Sequence, residues 1–349
     1  MINAKYIIVG QGIAGTLLSF FMSEKNISHV VISDRSMDSA SDISAGMMNP
    51  LVFKRITKSW NADTFLPFAK DIYSKIEKKL NGKYLKDFKI AKVLTSEDEV
   101  NWWKQRIESQ TLQHYFEGFS EKELIDHVQN AHKFAVIKQA AHVNVSSLIN
   151  DYRKLLNQNQ SLINHKFDYN KLVLSDNKVE YEGIKADKII FCEGAHIIHN
   201  SYFNFIPFYL TRGDLLKVDI QNFQKDYILT KNKFLLPVDE HFVFGSTYIR
   251  TENSLARNDE DQRNKLLKEL RLLLDKPFEV KQHLYGVRPT IKDRRPVLGL
   301  HPRHNQLAVF NGLGTKGTML GPYHAHLMLE FLLGNINEIE QEISLVRFG

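Results

Sequence analysis

Three glycines near the N-terminus have the spacing of a phosphate-binding turn. Gly10, Gly12 and Gly15 follow the apolar run Tyr6–Val9. In this pattern the first glycine allows a tight turn, the second lets the backbone approach a pyrophosphate, and the third lets a helix pack closely on the sheet. The N–H groups and the positive dipole at the start of that helix would bind the phosphates. The spacing therefore predicts a dinucleotide site.

The residues that follow complete a βαβ unit. A helix-compatible stretch, 16–25, leads into a second apolar run, 30–32, which ends at Asp34. Asp34 lies 19 residues after Gly15, where an acid accepts hydrogen bonds from the ribose hydroxyls of an adenosine. A purely structural glycine turn is the alternative, and the presence of strand, helix and acid in register argues against it.

A second glycine-rich loop lies near the C-terminus. An apolar strand, 307–310, runs into the loop 312–317, and an apolar helix is predicted over 318–333. Such a loop before a helix forms a binding site for a negatively charged group at the helix N-terminus. A chain with one such site at each end suits FAD, which has an ADP half and a flavin half, and Lys316 would stabilise charge on the reduced flavin. A simple turn is the alternative.

Length and composition limit the number of domains and the class of protein. The chain has 349 residues, 43% hydrophobic, which is enough for about two domains. No apolar run reaches the ~20 residues of a membrane span, and the N-terminus leads directly into the first strand without a signal peptide. The single cysteine, Cys192, lies in an apolar run that predicts a buried residue. These features predict a cytoplasmic protein without disulfides.

The net charge of +6 is spread along the chain, so it favours a nucleic-acid partner only slightly. Periodicity predicts helices and then a middle block of mainly antiparallel strands inserted between pieces of an α/β domain. The predicted helices are 61–80, 96–110 (with Ser96 and Glu99 as a capping box), a segment ending near 157, and 260–274. The predicted strands are 171–175, 178–181, 186–192, 213–219, 227–229, 234–238 and 242–247.

These motifs together resemble the D-amino-acid oxidase superfamily of FAD-dependent amine oxidoreductases, which includes glycine oxidase and sarcosine oxidase. They also resemble the C-terminal oxidase domain of the bifunctional enzyme that modifies the tRNA wobble uridine. The resemblance covers almost the whole chain and is carried by the segments 10–34, 44–50, 186–195, 211–214, 245–247, 286–296 and 312–317.

The resemblance implies an α/β fold with two domains. The first is a Rossmann-like, glutathione-reductase-like FAD-binding domain formed by residues 1–80, 135–200 and 286–349. The second is a discontinuous substrate domain of mainly antiparallel sheet plus helices, formed by residues 81–134 and 201–285.

The resemblance also implies a set of site residues. Residues expected to bind FAD, without a covalent link, are Gly10, Gly12, Ile13, Ala14, Gly15, Asp34, Arg35, Ser44, Ala45, Gly46, Met47, Val143, Gly194, Gly286, Arg288, Gly312, Leu313, Gly314, Thr315, Lys316 and Gly317. The expected catalytic residues are Arg288, Lys316 and Tyr248, and Tyr209 is a further candidate for the pocket border.

Arg288 matches the arginine that binds a substrate carboxylate in amino-acid oxidases. Its planar guanidinium suits a bidentate pair with a carboxylate, and a structural ion pair with Asp293 is the alternative. The implied activity is oxidation of a small amine or amino acid by hydride transfer to flavin N5. The imine product then hydrolyses, and oxygen or another acceptor reoxidises the flavin.

Two other hypotheses remain open. One is oxidation of a carboxymethylaminomethyl group on tRNA. The basic residues Lys54, Arg55 and Lys58 could face such an anionic substrate, and a solvated surface is the alternative for them. The methyltransferase half of the bifunctional enzyme has no counterpart here, which disfavours this hypothesis. The other is a non-catalytic FAD-binding protein, which the near-complete set of motifs argues against.

Overall fold

The structure is a computed structural model that describes residues 2–34, 39–250 and 259–348. Arg35 lies outside the described residues. The α-helices within these ranges are α1 (Ile13–Glu24), α2 (Ala62–Leu80), α3 (Glu97–Ser109), α4 (Val145–Gln158), α5 (Asp259–Leu273) and α6 (Gly317–Leu332). None of these described helices is both long enough and apolar enough to cross a membrane.

A six-stranded sheet contains the N-terminal strand of the βαβ unit at its centre. Its order is β10 (Leu162–Ile163), β3 (His29–Ile32), β2 (Tyr6–Val9), β14 (Lys188–Phe191), β22 (Leu307–Asn311) and β21 (Val297–Leu300). All neighbours are parallel except β21 and β22. Central parallel strands are covered on both faces, which explains why these strands are almost continuously apolar.

Alternate residues of β2 pack against two different layers. Tyr6 and Ile8 pack with residues of α1 and α6, whereas Ile7 and Val9 pack toward a small sheet on the other face. That four-stranded sheet has the order β1 (Ile2–Asn3), β13 (Ile184–Ala186), β12 (Val179–Tyr181) and β11 (Leu172–Leu174). The six-stranded sheet is therefore the middle layer of three.

A larger, ten-stranded sheet is mainly antiparallel, as expected. Its order is β19 (Ile249–Arg250), β15 (Phe208–Asp219), β18 (His241–Gly245), β17 (Phe234–Val238), β16 (Tyr227–Thr230), β7 (Leu85–Leu94), β9 (Lys133–Val143) and β4 (Met47–Met48). In addition, β20 (Glu279–Ile291) pairs with β15, and β8 (Phe116–Glu121) pairs with β9. Only β16 and β7 run parallel. A separate hairpin joins β5 (Leu51–Val52) to β6 (Thr57–Lys58).

One face of the ten-stranded sheet packs against α5. The buried leucines of this helix, Leu266, Leu270 and Leu273, share a core with Leu216 and Phe244 of the sheet. The leucine spacing predicted this helix to within a residue of its observed ends. The α/β fold class is thus confirmed, while the division of the chain into two domains stays a prediction.

Local details complete the description of two predicted helices. The helix that ends near 157 follows the long strand β9, whose last residue is Val143, and begins at Val145. On α3, Trp103 is buried, whereas its neighbour Trp102 is 44% exposed. In the capping box, Ser96 accepts the N–H of Glu99 at 3.3 Å, but the Glu99 carboxylate accepts from the backbone of Thr95.

A substitution at Gly15 tests the packing of α1 on the sheet. A Cβ atom there would lie 1.9 Å from the carbonyl oxygen of Gly10, which is backbone and cannot rotate away. We therefore expect Gly15→Ala to lower the free energy of unfolding by about 1–3 kcal/mol, measured by urea denaturation. The control Gln158→Ala, at the exposed end of α4, should change it by less than about 0.5 kcal/mol. Equal stability of the two variants would contradict this packing.

Candidate active site

A cavity of about 1150 Å³ lies between the six-stranded and the ten-stranded sheets. It begins where the parallel strands end, at Val9, Cys192 and Asn311, which is the usual position for ligands in open α/β sheets. The predicted site residues that line it are Gly10, Gly12, Ile13, Ala14, Asp34, Ser44, Ala45, Gly46, Met47, Gly194, Gly286, Arg288, Leu313, Gly314, Thr315, Lys316 and Gly317.

The N-terminal glycines each have a distinct physical constraint. Gly10 has φ +98°, and a Cβ there would lie 2.5 Å from the carbonyl oxygen of Cys192. Gly12 caps α1 and lines the cavity, whereas Gly15 packs behind it against the Gly10 carbonyl. The backbone N–H of Ile13 donates to the Ser41 hydroxyl at 3.0 Å. The backbone of Gly10 and Gly12, which has no side chain to cover it, and the N-terminus of α1 thus both face the cavity.

The structure does not bring Val143 to the cavity. Its side chain is fully buried, and its backbone N–H donates to the carbonyl of Gly46 at 2.9 Å. This contact holds Gly46, which has φ +60°, at the cavity wall. Val143 thus lies outside the cavity lining with its backbone N–H already hydrogen-bonded, and its assignment as an FAD-binding residue stays a prediction.

A segment absent from the predicted site residues lines the cavity near Asp34. Residues 166–169 follow β10, which pairs with β3, so they emerge at the same sheet edge as Asp34. Sequence reasoning missed this segment because β10 has only two residues. The signal that could have found it is the rule that a strand after α4 returns to the sheet beside β3.

Glu193 is a second residue that sequence reasoning missed. It lines the cavity, and its carboxylate accepts hydrogen bonds from the hydroxyl of Tyr169 and from the amide of Asn200 at 2.9 Å. Burial raises the pKa of Glu193 to about 7, and these two hydrogen bonds offset part of the effect. Its neighbour Cys192 is buried, and burial raises the pKa of the thiol as well, so a thiolate is disfavoured.

Arg288 lies on β20 with its guanidinium at the cavity. Nη2 donates to the hydroxyl of Ser246 at 2.9 Å, whereas Nη1 is buried without a hydrogen-bond partner among the described residues. The alternative ion pair with Asp293 is absent from the described part of the chain, since that carboxylate accepts from Arg347 at 2.9 Å instead. Burial lowers the pKa of Arg288, but a guanidinium stays protonated in proteins.

A glycine makes room for this guanidinium. Gly213 on β15 lies two residues after Thr211, which is the direct cross-strand partner of Arg288. A Cβ at Gly213 would be 1.9 Å from Nη2 of Arg288. Its cross-strand partner Gly286 similarly leaves space for Ile43, to which a Cβ would come within 2.6 Å. The two glycines let the guanidinium and the loop around Ile43 lie flat on the sheet.

A buried ion pair lies on the opposite face of the same strands. The Asp214 carboxylate accepts from Nη2 of Arg212 at 2.6 Å and from the hydroxyl of Thr247 at 2.8 Å. The hydroxyl of Thr247 in turn accepts the backbone N–H of Asp214 at 2.8 Å. These bonds fix the residue that follows Ser246 and thereby fix the hydroxyl that holds Arg288.

Lys316 caps α6 at the other helix N-terminus that faces the cavity. Its ammonium donates to the hydroxyl of Ser59, which donates to the carbonyl of Asn49 at 2.9 Å. Burial lowers the pKa of Lys316 to about 8. The two helices cross closely, since a Cβ at Gly321 of α6 would lie 2.7 Å from a methyl group of Leu17 in α1.

The remaining predicted residues lie outside the cavity lining. Tyr248 is 44% and Tyr209 45% exposed, and neither lines the cavity. Gly312, with φ +77°, packs against Ile291. Lys54 and Arg55 are exposed, and Lys58 is exposed and paired with Asp63.

These features fit FAD. At the start of α1, glycines without side chains line the cavity. A glycine-rich loop before α6 lines another part of the cavity wall. Both helix N-termini can stabilise negative charge, as the pyrophosphate and the pyrimidine edge of a reduced flavin require. A single cavity that reaches both matches the length of a two-headed cofactor.

Comparison with known proteins agrees with this fit. Solved structures with the same fold include iminodiacetate oxidase from Chelativorans sp. BNC1 (TM-score 0.79, 19% identity, 97% of this chain and 98% of that chain covered). They also include glycine oxidase from Bacillus cereus (TM-score 0.80, 16% identity, 95% and 96% covered) and L-proline dehydrogenase from P. horikoshii (TM-score 0.78, 12% identity, 97% and 96% covered). The model of the DAO family, described as FAD dependent oxidoreductase, matches residues 5–331. The chain therefore belongs to the DAO family of FAD-dependent oxidoreductases.

Proposed function

We propose that the chain oxidises the C–N bond of a small amine that carries a carboxylate. The observation that carries this proposal is the buried Nη1 of Arg288, which has no partner among the described residues. An uncompensated buried cation is unfavourable, and a carboxylate that enters the cavity would pair with it. The named substrates of the similar structures, glycine, iminodiacetate and L-proline, all combine an amine with a carboxylate.

Each group of lining residues has its own role in binding the cofactor or the substrate. The turn 10–14 and α1 would bind the pyrophosphate, Asp34 the ribose, the segment 44–47 the middle of the cofactor, and the loop 313–317 the flavin edge. FAD, when bound, supplies the ring that accepts a hydride equivalent from the carbon next to the amine nitrogen. Arg288 would hold the carboxylate and so orient that carbon, while the walls exclude water.

The direct test is an anaerobic screen. Glycine, sarcosine, proline and D-amino acids are added to the FAD-loaded protein, and reduction is read as loss of flavin absorbance near ~450 nm. We expect at least one of these amines to bleach the flavin. Bleaching by none of them, together with retention of tRNA that weakens with salt, would favour the alternative of a tRNA substrate.

Arg288→Ala should weaken substrate binding strongly. We expect KM to rise by an amount equivalent to about 2–4 kcal/mol while FAD content is unchanged, because the charge-assisted pair is lost. Arg288→Lys should restore only part of the binding, since an ammonium cannot form two parallel hydrogen bonds. Arg303→Ala, an exposed arginine, is the matched control. Lost FAD with normal activity per bound flavin would instead indicate a structural arginine.

Gly213→Ala tests the same site without changing a charge. The new Cβ would occupy the position of Nη2, so Arg288 must move. We expect weaker binding of substrates that carry a carboxylate and no change for an amine that lacks one, measured as KM for each. An equal loss for both kinds of amine would show that the substitution disturbs the sheet in general.

Lys316→Met tests the charge at the flavin end. A cation there should raise the midpoint potential of bound FAD. We therefore expect the midpoint potential of the variant to be lower than that of wild type at about pH 7. The expected difference is about 30 mV, which corresponds to about 1.4 kcal/mol for two electrons. Since Lys316 has a pKa of about 8, wild type loses the charge as pH rises, and the difference should vanish near pH 10. The control is Lys154→Met, an exposed lysine. A difference that is independent of pH would contradict this role.

A further inference from the structure

We propose that Arg153 of α4 is a positioning residue for the adenosine half of FAD, although it lies outside the cavity lining. This inference rests on the cofactor placement proposed above, with the pyrophosphate at the turn 10–14 and the ribose at Asp34, and it holds whichever amine is oxidised. It comes from the hydrogen bonds by which one guanidinium joins three loops around that end of the cavity.

Arg153 lies on the buried face of α4. It follows Ile149 by four residues and precedes Leu156 by three, so it shares a helix face with these two buried side chains. Arg153 is 8% exposed, whereas the side chain of its neighbour Lys154 is 74% exposed. The hydroxyl of Tyr152, one residue earlier, is hydrogen-bonded at 3.0 Å to a serine of α1. The guanidinium thus starts from a helix that is fixed against the first βαβ unit.

The first loop that Arg153 holds is the glycine-rich turn after β2. Nη1 of Arg153 donates to Oε1 of Gln11 at 2.7 Å, and Gln11 lies between Gly10 and Gly12. The side-chain nitrogen of Gln11 donates to the carbonyl oxygen of Ile149 at 3.0 Å. Because both ends of this buried amide bond to α4, the helix fixes the turn that would bind the pyrophosphate.

The other two loops follow β3 and β10. Nη2 of the same guanidinium donates to the carbonyl oxygen of Ser33 at 3.2 Å and to Oδ1 of Asn164 at 2.6 Å. Ser33 directly precedes Asp34, and its hydroxyl accepts the backbone N–H of Gln11 at 3.2 Å. Asn164 lies between β10 and the lining segment 166–169. The loops that surround Asp34 are therefore bonded to one group.

A guanidinium is suited to this task because it is planar and its donors have a fixed geometry. The relative positions of the three loops are then set by a rigid group and not by the loop backbones alone. A site that is held in place before its ligand arrives binds more tightly than one that must be ordered on binding. Loss of Arg153 should therefore weaken binding of the adenosine half, whereas the loop 313–317 before α6 should keep its contacts with the flavin.

Arg153→Met tests this role on the FAD-loaded protein. The holoprotein is diluted, and the Kd for FAD is obtained from the fluorescence of the released flavin. Added ADP then displaces FAD and gives the Kd for ADP. We expect both constants to rise by the same factor, at least about tenfold, because hydrogen bonds from a charged donor are lost. The midpoint potential of bound FAD should not change. Lys154→Met, the exposed neighbour, should leave all three values unchanged.

Two further variants separate position from charge and from folding. Arg153→Lys keeps the charge but cannot reach three loops with a fixed fork, so it should recover only part of the affinity. Asn164→Ala removes one acceptor at an exposed position, where the fold tolerates substitution, and should raise the Kd for FAD at least about threefold. In the Arg153→Met background, Asn164→Ala should have little further effect, since the two residues act through one bond.

Each contrary result has a distinct meaning. A lower Tm with unchanged Kd for FAD and ADP in Arg153→Met would show a merely structural arginine and overturn the inference. Full recovery in Arg153→Lys would also overturn it, since charge and not position would then suffice. Gly12→Val reports the cofactor placement itself, because its side chain would enter the cavity at the turn. Retained FAD in that variant would overturn the placement and this inference with it. Flavin bleaching by amines tests the proposed oxidation independently of both.

Discussion

The active-site geometry depends on holding one buried guanidinium with a free hydrogen-bond donor. A buried cation that lacks a partner destabilises the fold, so its position requires support from the residues around it. Gly213 provides the space, Ser246 accepts from Nη2, and the Arg212–Asp214 pair with Thr247 fixes the segment that contains Ser246. Nη1 of Arg288 remains available to a ligand.

The second constraint is the crossing of α1 and α6. Both helices begin at the cavity, and the close approach at Gly321 brings them together on the six-stranded sheet. Because each helix N-terminus favours negative charge, the crossing provides two anion sites in one cavity. The fold would therefore position the two ends of a long cofactor by the packing of small residues and not by charged side chains alone.

Much of this architecture could be predicted from local sequence. The helix 61–80 and the strand 234–238 agree with the structure to within a residue at each end, and the first βαβ unit is present with a helix that begins three residues earlier than expected, at Ile13. These elements have a strong periodicity or clear end signals, so local propensity and tertiary packing favour the same conformation. The two glycine-rich loops were found for the same reason.

What the sequence did not reveal depends on pairing between distant segments. The space that Gly213 leaves for the Arg288 guanidinium depends on the register in which β15 pairs with β20. This pairing joins residues more than seventy positions apart in the sequence. Val143 lies outside the cavity lining, bonded to Gly46, and Tyr248 lies beyond the end of β18 and is 44% exposed. Glu193 was missed because its high pKa arises from burial by elements that no local pattern identifies.

The most direct measurement is a crystal structure of the FAD-loaded protein with an unreactive carboxylic acid bound. The account predicts that the carboxylate lies within about 2.9 Å of Nη1 of Arg288, while Nη2 keeps its bond to Ser246. A carboxylate bound elsewhere in the cavity, with Nη1 paired to a protein acid, would contradict the account.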